Sequence, residues 1–565
     1  MDNQSVAGLF RSGSMHGALQ RALAPALSLL LAACGFADVY IEAPSSELAA
    51  YVEQSGVAAP TGRIRFLFDD MRGLSTDTLD SHAMPWKVVT AALVLERDEL
   101  AAGPASLPGI LQEYGFIVPT EIANWTDSLP RPGFSMPLGI VTGTLEDPFP
   151  PFRLEVANIS CAACHAGVTY DFAGNPLRSV WLGQPNTSIN FGAFTEDVFR
   201  GLRVALENPE RLMVAVRTLY PDADSRELNT IRRYVLPAVT ERVGKAPAGS
   251  VSGFNQGSSG TTNGLGSLKN ILGLLPEGGD PGERGVVSIP DLAGVTLRSS
   301  LLADGSYGPK GTDRFQPLQT RDVDDAQRRH LADIISAFTI SIMGVEPNLA
   351  LTNASRVAEI VDFLLEYEAP PFPGTLDLDR AARGEVLYRE SCSSCHGTYN
   401  VGLRNIRLIA YPNRLVPAER IGTDPLRVRL ASPAAAAALN RSAIGANVEV
   451  VPTGGYVAPR LNGIWATAPY LHNGSVPTLW HLVNPDRRPA RFEVGGHRLD
   501  FINVGIAGTI ADDGVMRYAA DYKPWASPFL YDTAELGHSN TGHETQFQDL
   551  TEEQKWDLLE YLKLL

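Results

Sequence analysis

Apolar residues recur at helical spacing in two stretches, one beyond the middle of the chain and one at its end. The first stretch is set by Val357, Ile360, Val361, Leu364 and Leu365, and the second by Leu558, Tyr561, Leu562 and Leu565. Spacings of three and four residues line one face of an α-helix with apolar side chains. Thr551 and Gln554 form a capping box, which predicts the start of the final helix. Both stretches are therefore predicted to be amphipathic helices.

Each of these helices follows a loop of similar sequence. Residues 290–306 and 459–475 align without gaps, with identical residues at Pro290/Pro459, Leu292/Leu461, Gly294/Gly463, Leu302/Leu471, Gly305/Gly474 and Ser306/Ser475. A shorter similarity pairs Leu364-Leu365-Glu366-Tyr367 with Leu558-Leu559-Glu560-Tyr561. The pattern predicts an internal duplication, joined by the proline-rich linker 370–375. Accidental recurrence of Gly-Ser turns and leucine-rich helices is the alternative.

A pair of cysteines followed by a histidine stands upstream of each loop. Cys161-Ala162-Ala163-Cys164-His165 and Cys392-Ser393-Ser394-Cys395-His396 have the C-x-x-C-H spacing of covalent haem attachment. Two thiols at this spacing form thioethers with the haem vinyl groups, and the adjacent imidazole becomes the proximal iron ligand. The sequence thus predicts two covalently bound haem c groups, with His165 and His396 as proximal ligands. Two zinc or disulfide half-sites are the alternative, although a zinc site needs a second ligand pair nearby.

The fifth cysteine, Cys34, follows Leu31-Ala32-Ala33 and a short apolar run that begins after Arg21. A basic start, an apolar core too short to span a membrane and small residues at the end predict a secretory signal. The cysteine after Leu-Ala-Ala resembles a bacterial lipobox. Residues 1–33 are therefore predicted to be a lipoprotein signal peptide, with Cys34 as the lipidated residue and the outer membrane as the favoured destination. Ordinary signal cleavage with a free Cys34 is the alternative.

The haem strings suggest a division into domains and a fold class. We expect a mainly α protein with two cytochrome c-type haem domains, at 151–369 and 376–565, and long loops. Residues 34–150 are interpreted as an irregular N-terminal extension packed on the first haem domain. The helix before the second haem string, at 379–392, resembles the first helix of a class I cytochrome c. The Gly- and Ser-rich segment 249–266 is a flexible insertion or a lid over the first haem.

Length and charge narrow the choice of partners. A chain of 565 residues is long enough for two or three domains. The formal net charge of −16 argues against nucleic-acid binding and permits a basic electron-transfer partner. We expect a small redox protein or a quinol-linked donor to supply electrons, and a membrane contact through the lipid anchor.

The segment around His472 resembles a known family. Residues 468–479, Ala-Pro-Tyr-Leu-His-Asn-Gly-Ser-Val-Pro-Thr-Leu, are similar to a signature of the bacterial dihaem cytochrome c peroxidases and of the methylamine dehydrogenase maturation enzyme. Residues 462–467, 542–544 and 132–139 are closer to the rubber-oxygenase-like branch of that superfamily. The resemblance covers residues 75–565. It implies two facing haem domains, a reactive N-terminal haem, a C-terminal haem that relays electrons, and a calcium ion between them.

The residues alone leave the sixth iron ligands open. Candidates in the second half are His472, His481, His497, His538, His543 and Met516, and those in the first half are His330 and Met343. In the peroxidases a methionine ligates the second iron, but Asp486 stands at the corresponding position. The resemblance to the oxygenase-like branch implies His543 instead, with His472 near a haem propionate. Ala303 occupies the repeat position of His472, which favours an open or water-bound first haem.

Three functions are compatible with these predictions. The first is a peroxidase-like oxidoreductase, in which the C-terminal haem relays electrons and the N-terminal haem reduces peroxide. The second is a haem-dependent oxygenase that cleaves an apolar substrate with dioxygen, and the third is an electron relay without a substrate. The sequence favours the first function, but the bis-His second haem weakens it because such a haem has a lower potential than a His/Met haem. Distal catalytic residues are not identified from the sequence.

Overall fold

A computed structural model describes residues 40–79, 82–126, 128–148, 151–245, 257–275, 282–319, 323–403 and 406–565. The predicted signal peptide and Cys34 lie outside the described residues, as does the first part of the segment 249–266. The structure is 42% helical and 16% strand, so the prediction of a mainly α fold is wrong. Most of the missed strands are short, but the strands Ile140–Pro148 and Pro151–Ile159 have nine residues each, with buried and more exposed positions in alternation. In the strand Pro151–Ile159, for example, Phe152, Leu154 and Val156 are buried in alternation.

Helices occur along the whole described chain. The main helices before the linker are Ser46–Ser55, Gly62–Phe68, Trp86–Glu96, Leu107–Glu113, Phe191–Leu206, Pro209–Leu219, Ser225–Thr230, Leu236–Lys245, Gly264–Ile271, Asp325–Ile335, Pro347–Leu351 and Ala354–Glu366. Those after it are Leu378–Ser391, Ala418–Ile421, Leu426–Leu430, Pro433–Arg441, Leu479–Val483, Glu544–Phe547 and Glu552–Leu562. The capping box predicted at Thr551 and Gln554 is confirmed.

The strands form small sheets beside the helices. Three-stranded sheets join Met84–Pro85, Pro151–Ile159 and Ile140–Pro148, and Glu121–Ile122, Pro176–Leu182 and Ala166–Tyr170. A four-stranded sheet joins Thr509–Ile510, Val515–Arg517, Arg491–Val494 and Phe529–Asp532. Two-stranded sheets pair Tyr307–Pro309 with Val448–Val450, Leu415–Pro417 with Gly455–Val457, Thr398–Tyr399 with Leu408–Ala410, Leu499–Asp500 with Gly505–Ile506, and Thr261–Thr262 with Val287–Ser288. The antiparallel hairpin 140–159 crosses the predicted domain boundary at residue 150. The division into domains stays a prediction.

The two repeated loops share several backbone angles, although the second also contains a cis peptide bond at Ala468-Pro469. Leu302 and Leu471 both have a φ of 67°, and Gly294 and Gly463 both have a φ of 70°. A short helical turn follows each of these glycines, at Val295–Leu297 and Ile464–Ala466. The similarity that the two loop sequences predict is therefore confirmed for these backbone angles and helical turns.

A close helix crossing also occurs twice, once in each half. Helix Gly62–Phe68 crosses helix Ala354–Glu366, and helix Leu378–Ser391 crosses helix Glu552–Leu562. A Cβ placed on Gly62 would lie 1.7 Å from the carbonyl oxygen of Glu359, and one placed on Gly384 would lie 2.0 Å from that of Asp557. Only glycine allows backbones to approach so closely.

The aromatic residues one turn further along each helix also correspond. Phe66 contacts Phe363 with ring centroids 5.1 Å apart, and Tyr388 contacts Tyr561 at 5.2 Å. The structural equivalent of Tyr561 is thus Phe363. The sequence similarity that pairs Tyr561 with Tyr367 is displaced by one helical turn, because Tyr367 lies at the end of its helix and donates a hydrogen bond to Asp291.

The glycine at the second crossing provides a test of this packing. We expect Gly384→Ala to lower the free energy of unfolding by about 1–3 kcal/mol, because the added methyl group forces the helices apart. Gly109→Ala is the matched control: this helical glycine has open space around its Cβ, and alanine there stabilises by up to about 1 kcal/mol. Denaturant unfolding followed by circular dichroism measures both, and equal midpoints for the two variants would contradict the tight crossing.

Candidate functional site

The first haem string occupies a single helical turn between two strands. Cys161–Cys164 follows the strand Pro151–Ile159, and the next strand begins at Ala166. The Ser160 hydroxyl donates to the Leu67 carbonyl oxygen at 2.6 Å, and the His165 amide donates to the Cys161 carbonyl oxygen at 3.0 Å. The first bond attaches the turn to helix Gly62–Phe68, and the second closes the turn itself. Both thiols and the imidazole line an internal cavity.

The second haem string directly continues helix Leu378–Ser391. The His396 amide donates to the Cys392 carbonyl oxygen at 3.0 Å, so the string forms one further turn, Ser393–His396. Gly397 then turns the chain away with a φ of 102°, a conformation that favours glycine. Cys392, Cys395 and His396 line the same cavity as the first string.

The repeated loops orient both proximal imidazoles. His165 Nδ1 lies 3.1 Å from the Pro290 carbonyl oxygen, and His396 Nδ1 lies 2.7 Å from the Pro459 carbonyl oxygen. A carbonyl oxygen only accepts, so each Nδ1 carries the hydrogen and Nε2 keeps its lone pair for a metal. Burial lowers the pKa of His165 to about 4 and also lowers the pKa of His396, which keeps both rings neutral. Pro290 and Pro459 are the first residues of the two repeats.

The cavity that holds both strings has a volume of about 1220 Å³. A single small-molecule site usually measures roughly 300–1,000 Å³, so this space suits more than one ligand. Four cysteine thiols and the two oriented imidazoles converge on it. The donor set therefore fits covalently attached haem.

His543 faces His396 across the cavity. Their ring centroids are 6.2 Å apart, with an angle of 31° between the ring planes. Two metal–nitrogen bonds of about 2 Å, together with the radii of two imidazole rings, require a separation of about 6 Å. His543 Nδ1 is buried and has no hydrogen-bond partner in the described part of the chain, and the residue has a φ of 67°. The pair is spaced as two imidazoles on opposite sides of one metal ion would be.

The other candidate ligands of the second iron occupy different positions. His472 lines the cavity, but its Nε2 lies 3.0 Å from the Tyr456 hydroxyl and its Nδ1 lies 3.3 Å from the Thr423 hydroxyl. Burial, followed by the charge of Arg427, lowers the pKa of His472 to about 3. The remaining candidates do not contribute to the described lining of the cavity: His481, His497, His538 and Met516.

Near the first string, the structure adds one residue that the sequence did not single out. Of the two predicted candidates, Met343 lines the cavity and His330 does not. His82 also lines it, with a buried Nδ1 that has no hydrogen-bond partner. Burial lowers the pKa of His82 to about 4, so the imidazole is neutral. His82 precedes the first haem string in the chain, whereas both predicted candidates follow it.

Three helices form an apolar wall next to the first string. Helices Trp86–Glu96, Phe191–Leu206 and Leu236–Lys245 each turn one face toward the cavity. We define the apolar wall as Val89, Phe194, Val198, Leu202, Val239 and Val243. Cys164 packs against the same hydrophobic cluster, which places the wall beside the first haem string.

Arginines also line the cavity. Among the described residues the Nε atoms of Arg298 and Arg460 have no hydrogen-bond partner, and burial lowers the pKa of both guanidinium groups. Arg427 lies 2.9 Å from the carboxylate of Asp304, and both side chains are buried. Buried cations need compensating charge, and haem carries two propionate groups. The positive charges of these arginines therefore fit the negative charges of the haem propionates.

Among the described residues, no group of three or more His, Cys, Asp or Glu side chains could hold a metal ion. The calcium ion therefore stays a prediction. Within the same part of the chain, no helix is long and apolar enough to cross a membrane.

Comparison with known proteins agrees with these features. A family described as RoxA-like, cytochrome c-like, matches residues 455–493. This match supports the rubber-oxygenase-like branch of the cytochromes and implies covalently bound haem c.

Two curated relatives from Sinorhizobium fredii (strain NBRC 101917 / NGR234) are also similar. Uncharacterized protein y4iM is 34% identical over 238 residues, which cover 37% of this chain and 50% of the relative. Uncharacterized protein y4iJ is 37% identical over 121 residues, which cover 20% of this chain and 18% of the relative. The chain thus spans half or less of the curated relatives it matches.

The hydrogen bond between Tyr456 and His472 can be tested by mutation. Because the Tyr456 hydroxyl also donates to the Asp424 carbonyl oxygen at 2.8 Å, its loss leaves two buried groups unpaired. We expect Tyr456→Phe to lower the free energy of unfolding by about 1–3 kcal/mol. The control is Tyr307→Phe, because the buried Tyr307 hydroxyl has no partner. Thermal unfolding distinguishes them, and a control variant as unstable as Tyr456→Phe would contradict this assignment.

Proposed function

We propose that this protein is a dihaem c-type cytochrome that oxidises an apolar substrate with dioxygen at its first haem. The haems are attached through Cys161 and Cys164, and through Cys392 and Cys395. His165 and His396 serve as proximal ligands. The repeated proline carbonyl contacts and the shared cavity support a count of two.

The second haem is proposed to store and relay electrons. His396 and His543 at a ring separation of 6.2 Å support bis-His ligation. An iron with two strong protein ligands passes electrons but does not easily bind small molecules. His543 would therefore close this site to substrate.

The apolar wall beside Cys164 is the observation that carries the proposed reaction at the first haem. A haem iron with an open position supplies the capacity to bind and reduce dioxygen or peroxide. The wall residues hold an apolar substrate near that position and exclude water. Peroxide cleavage requires a distal acid–base group. The described lining contains no glutamate, and its one glutamine, Gln546, lies close to His543 in the chain.

Peroxidase-like activity, favoured by the sequence, is the second candidate function. His82 supports it, because this neutral imidazole lines the cavity with an unpartnered nitrogen. In that case His82 would transfer the proton that peroxide cleavage needs. Comparing the products formed with dioxygen and with hydrogen peroxide separates the two functions.

The remaining roles follow from the haem chemistry and the sequence. Arg298 and Arg460 would compensate the propionate charges, with His472 nearby. Attachment of haem to C-x-x-C-H strings takes place after export. We therefore propose a periplasmic, lipid-anchored protein, with Cys34 as the anchor and the outer membrane as its site. A small redox protein or a quinol-linked donor would supply electrons.

Haem count and spin state test the proposed architecture. We expect two haems per chain by the pyridine haemochrome assay and, in the electron paramagnetic resonance spectrum of the oxidised protein, one high-spin and one low-spin signal. His543→Ala should convert the low-spin haem to high spin and allow it to bind cyanide. His538→Ala, which removes a histidine that does not line the cavity, should leave both signals unchanged. If the wild type shows two low-spin signals and binds no external ligand, both catalytic functions are excluded and only an electron relay remains.

The apolar wall is tested by narrowing the cavity. We expect Val198→Trp to reduce substrate turnover at least about tenfold, because the indole occupies the space next to the first haem. The control is Val204→Trp on the same helix, where the side chain is 50% exposed. Oxygen consumption with an apolar substrate and peroxide consumption should both be measured. Unchanged turnover by a correctly assembled Val198→Trp protein would exclude the wall from the reaction.

A further inference from the structure

The two haem strings differ in their access to solvent. Ala162 and Ala163, between the cysteines of the first string, are buried. In the second string Ser394 is exposed, as is Ser391 just before it. Because electron transfer weakens steeply with distance, an external carrier reaches the second haem more easily than the first.

Exposed apolar side chains lie on the elements that precede and follow the second string. Val386 lies on the helix that leads into it and is 53% exposed. Val401 and Ile409 follow the string, on and beside the short strand pair that begins at Thr398, and are 71% and 58% exposed. Apolar residues around a redox group favour transient contact with another protein.

The charged residues of this surface are mainly basic. Arg389 and Arg407 are exposed, and the guanidinium group of Arg414 donates to the Ser394 carbonyl oxygen at 3.4 Å. In the described part of the chain, none of these three arginines forms an ion pair with a carboxylate. Glu390 is the acidic residue nearest to them in the sequence. This basic surface contrasts with the net charge of −16 of the whole chain.

We propose that this surface, the haem-2 face, docks a small acidic electron-carrier protein. The haem-2 face consists of Val386, Arg389, Val401, Arg407, Ile409 and Arg414. The inference rests on the proposed function, because it requires a haem at Cys392 and Cys395. The reduced carrier loses one electron and the ferric iron held by His396 gains it, with no bond formed or broken. The whole-chain charge favours a basic carrier, but the local charge at the point of contact decides which carrier docks.

Reduced flavodoxin, an acidic one-electron carrier, is the probe for this proposal. Its second-order rate constant for reduction of the full-length dihaem protein is measured by stopped flow at low and high salt. We expect the rate to fall as salt increases, since screening weakens the attraction. The double variant Arg389→Glu/Arg407→Glu should lose at least about tenfold in rate at low salt. Val401→Ser/Ile409→Ser should reduce the rate at high salt as well, because apolar contact is not screened.

The matched control is Arg217→Glu, which reverses an exposed charge on helix Pro209–Leu219. It should stay within about twofold of the wild type at low salt. Dithionite, which needs no docking surface, should reduce the second haem equally in every variant. Equal flavodoxin rates for the double variant and the control would overturn the proposal, as would a rate that rises with salt.

Two further outcomes separate this proposal from its alternatives. In the first, the wild-type protein binds phosphatidylglycerol vesicles, and the double variant loses this binding but keeps the wild-type flavodoxin rate. The haem-2 face would then be a membrane contact, and the proposal of an acidic carrier protein would be rejected. A second haem that dithionite cannot reduce would contradict the proposed function itself. The docking proposal would then fail because there is no reducible second haem, and not because the carrier binds elsewhere.

Discussion

The hydrogen bond from each proximal imidazole to a proline carbonyl oxygen is the constraint on which the site depends. It joins residues 125 positions apart in the first half and 63 positions apart in the second. The bond selects the tautomer in which Nε2 keeps its lone pair, so the loop at Pro290 orients His165 and the loop at Pro459 orients His396. The repetition of the loop is the means by which the chain meets this requirement twice.

The repeated loops of the two halves lie beside different side chains. Position 472 holds a histidine bonded to Tyr456, whereas the equivalent position 303 holds an alanine that lines the cavity. Around the second string, the ring of His543 faces that of His396. Around the first string, three helices supply apolar side chains instead. The two repeats therefore place their histidines in different surroundings.

Much of the local chemistry could be predicted from the sequence, because it depends on contiguous residues. The haem strings, the final capping box and the equivalence of the two loops are of this kind. His543 came from resemblance rather than spacing, and the structure now places it opposite His396. The strands Ile140–Pro148 and Pro151–Ile159 were missed although their burial alternates, because the prolines between them are typical of a loop. Gly62 and His82 were missed because Gly62 lies far in the chain from Glu359, and His82 lies far from the first haem string. A single sequence does not reveal such distant contacts.

The helix crossings at Gly62 and Gly384 have a consequence for the order of folding. The contact of Arg65 with Glu359 closes a segment of 294 residues, whereas that of Arg383 with Asp557 closes one of 174 residues. Entropy of loop closure alone makes the first crossing costlier by about 0.5 kcal/mol, and contacts of higher sequence separation form more slowly. The crossing that encloses the first cysteine pair is thus expected to form more slowly than the crossing beside the second.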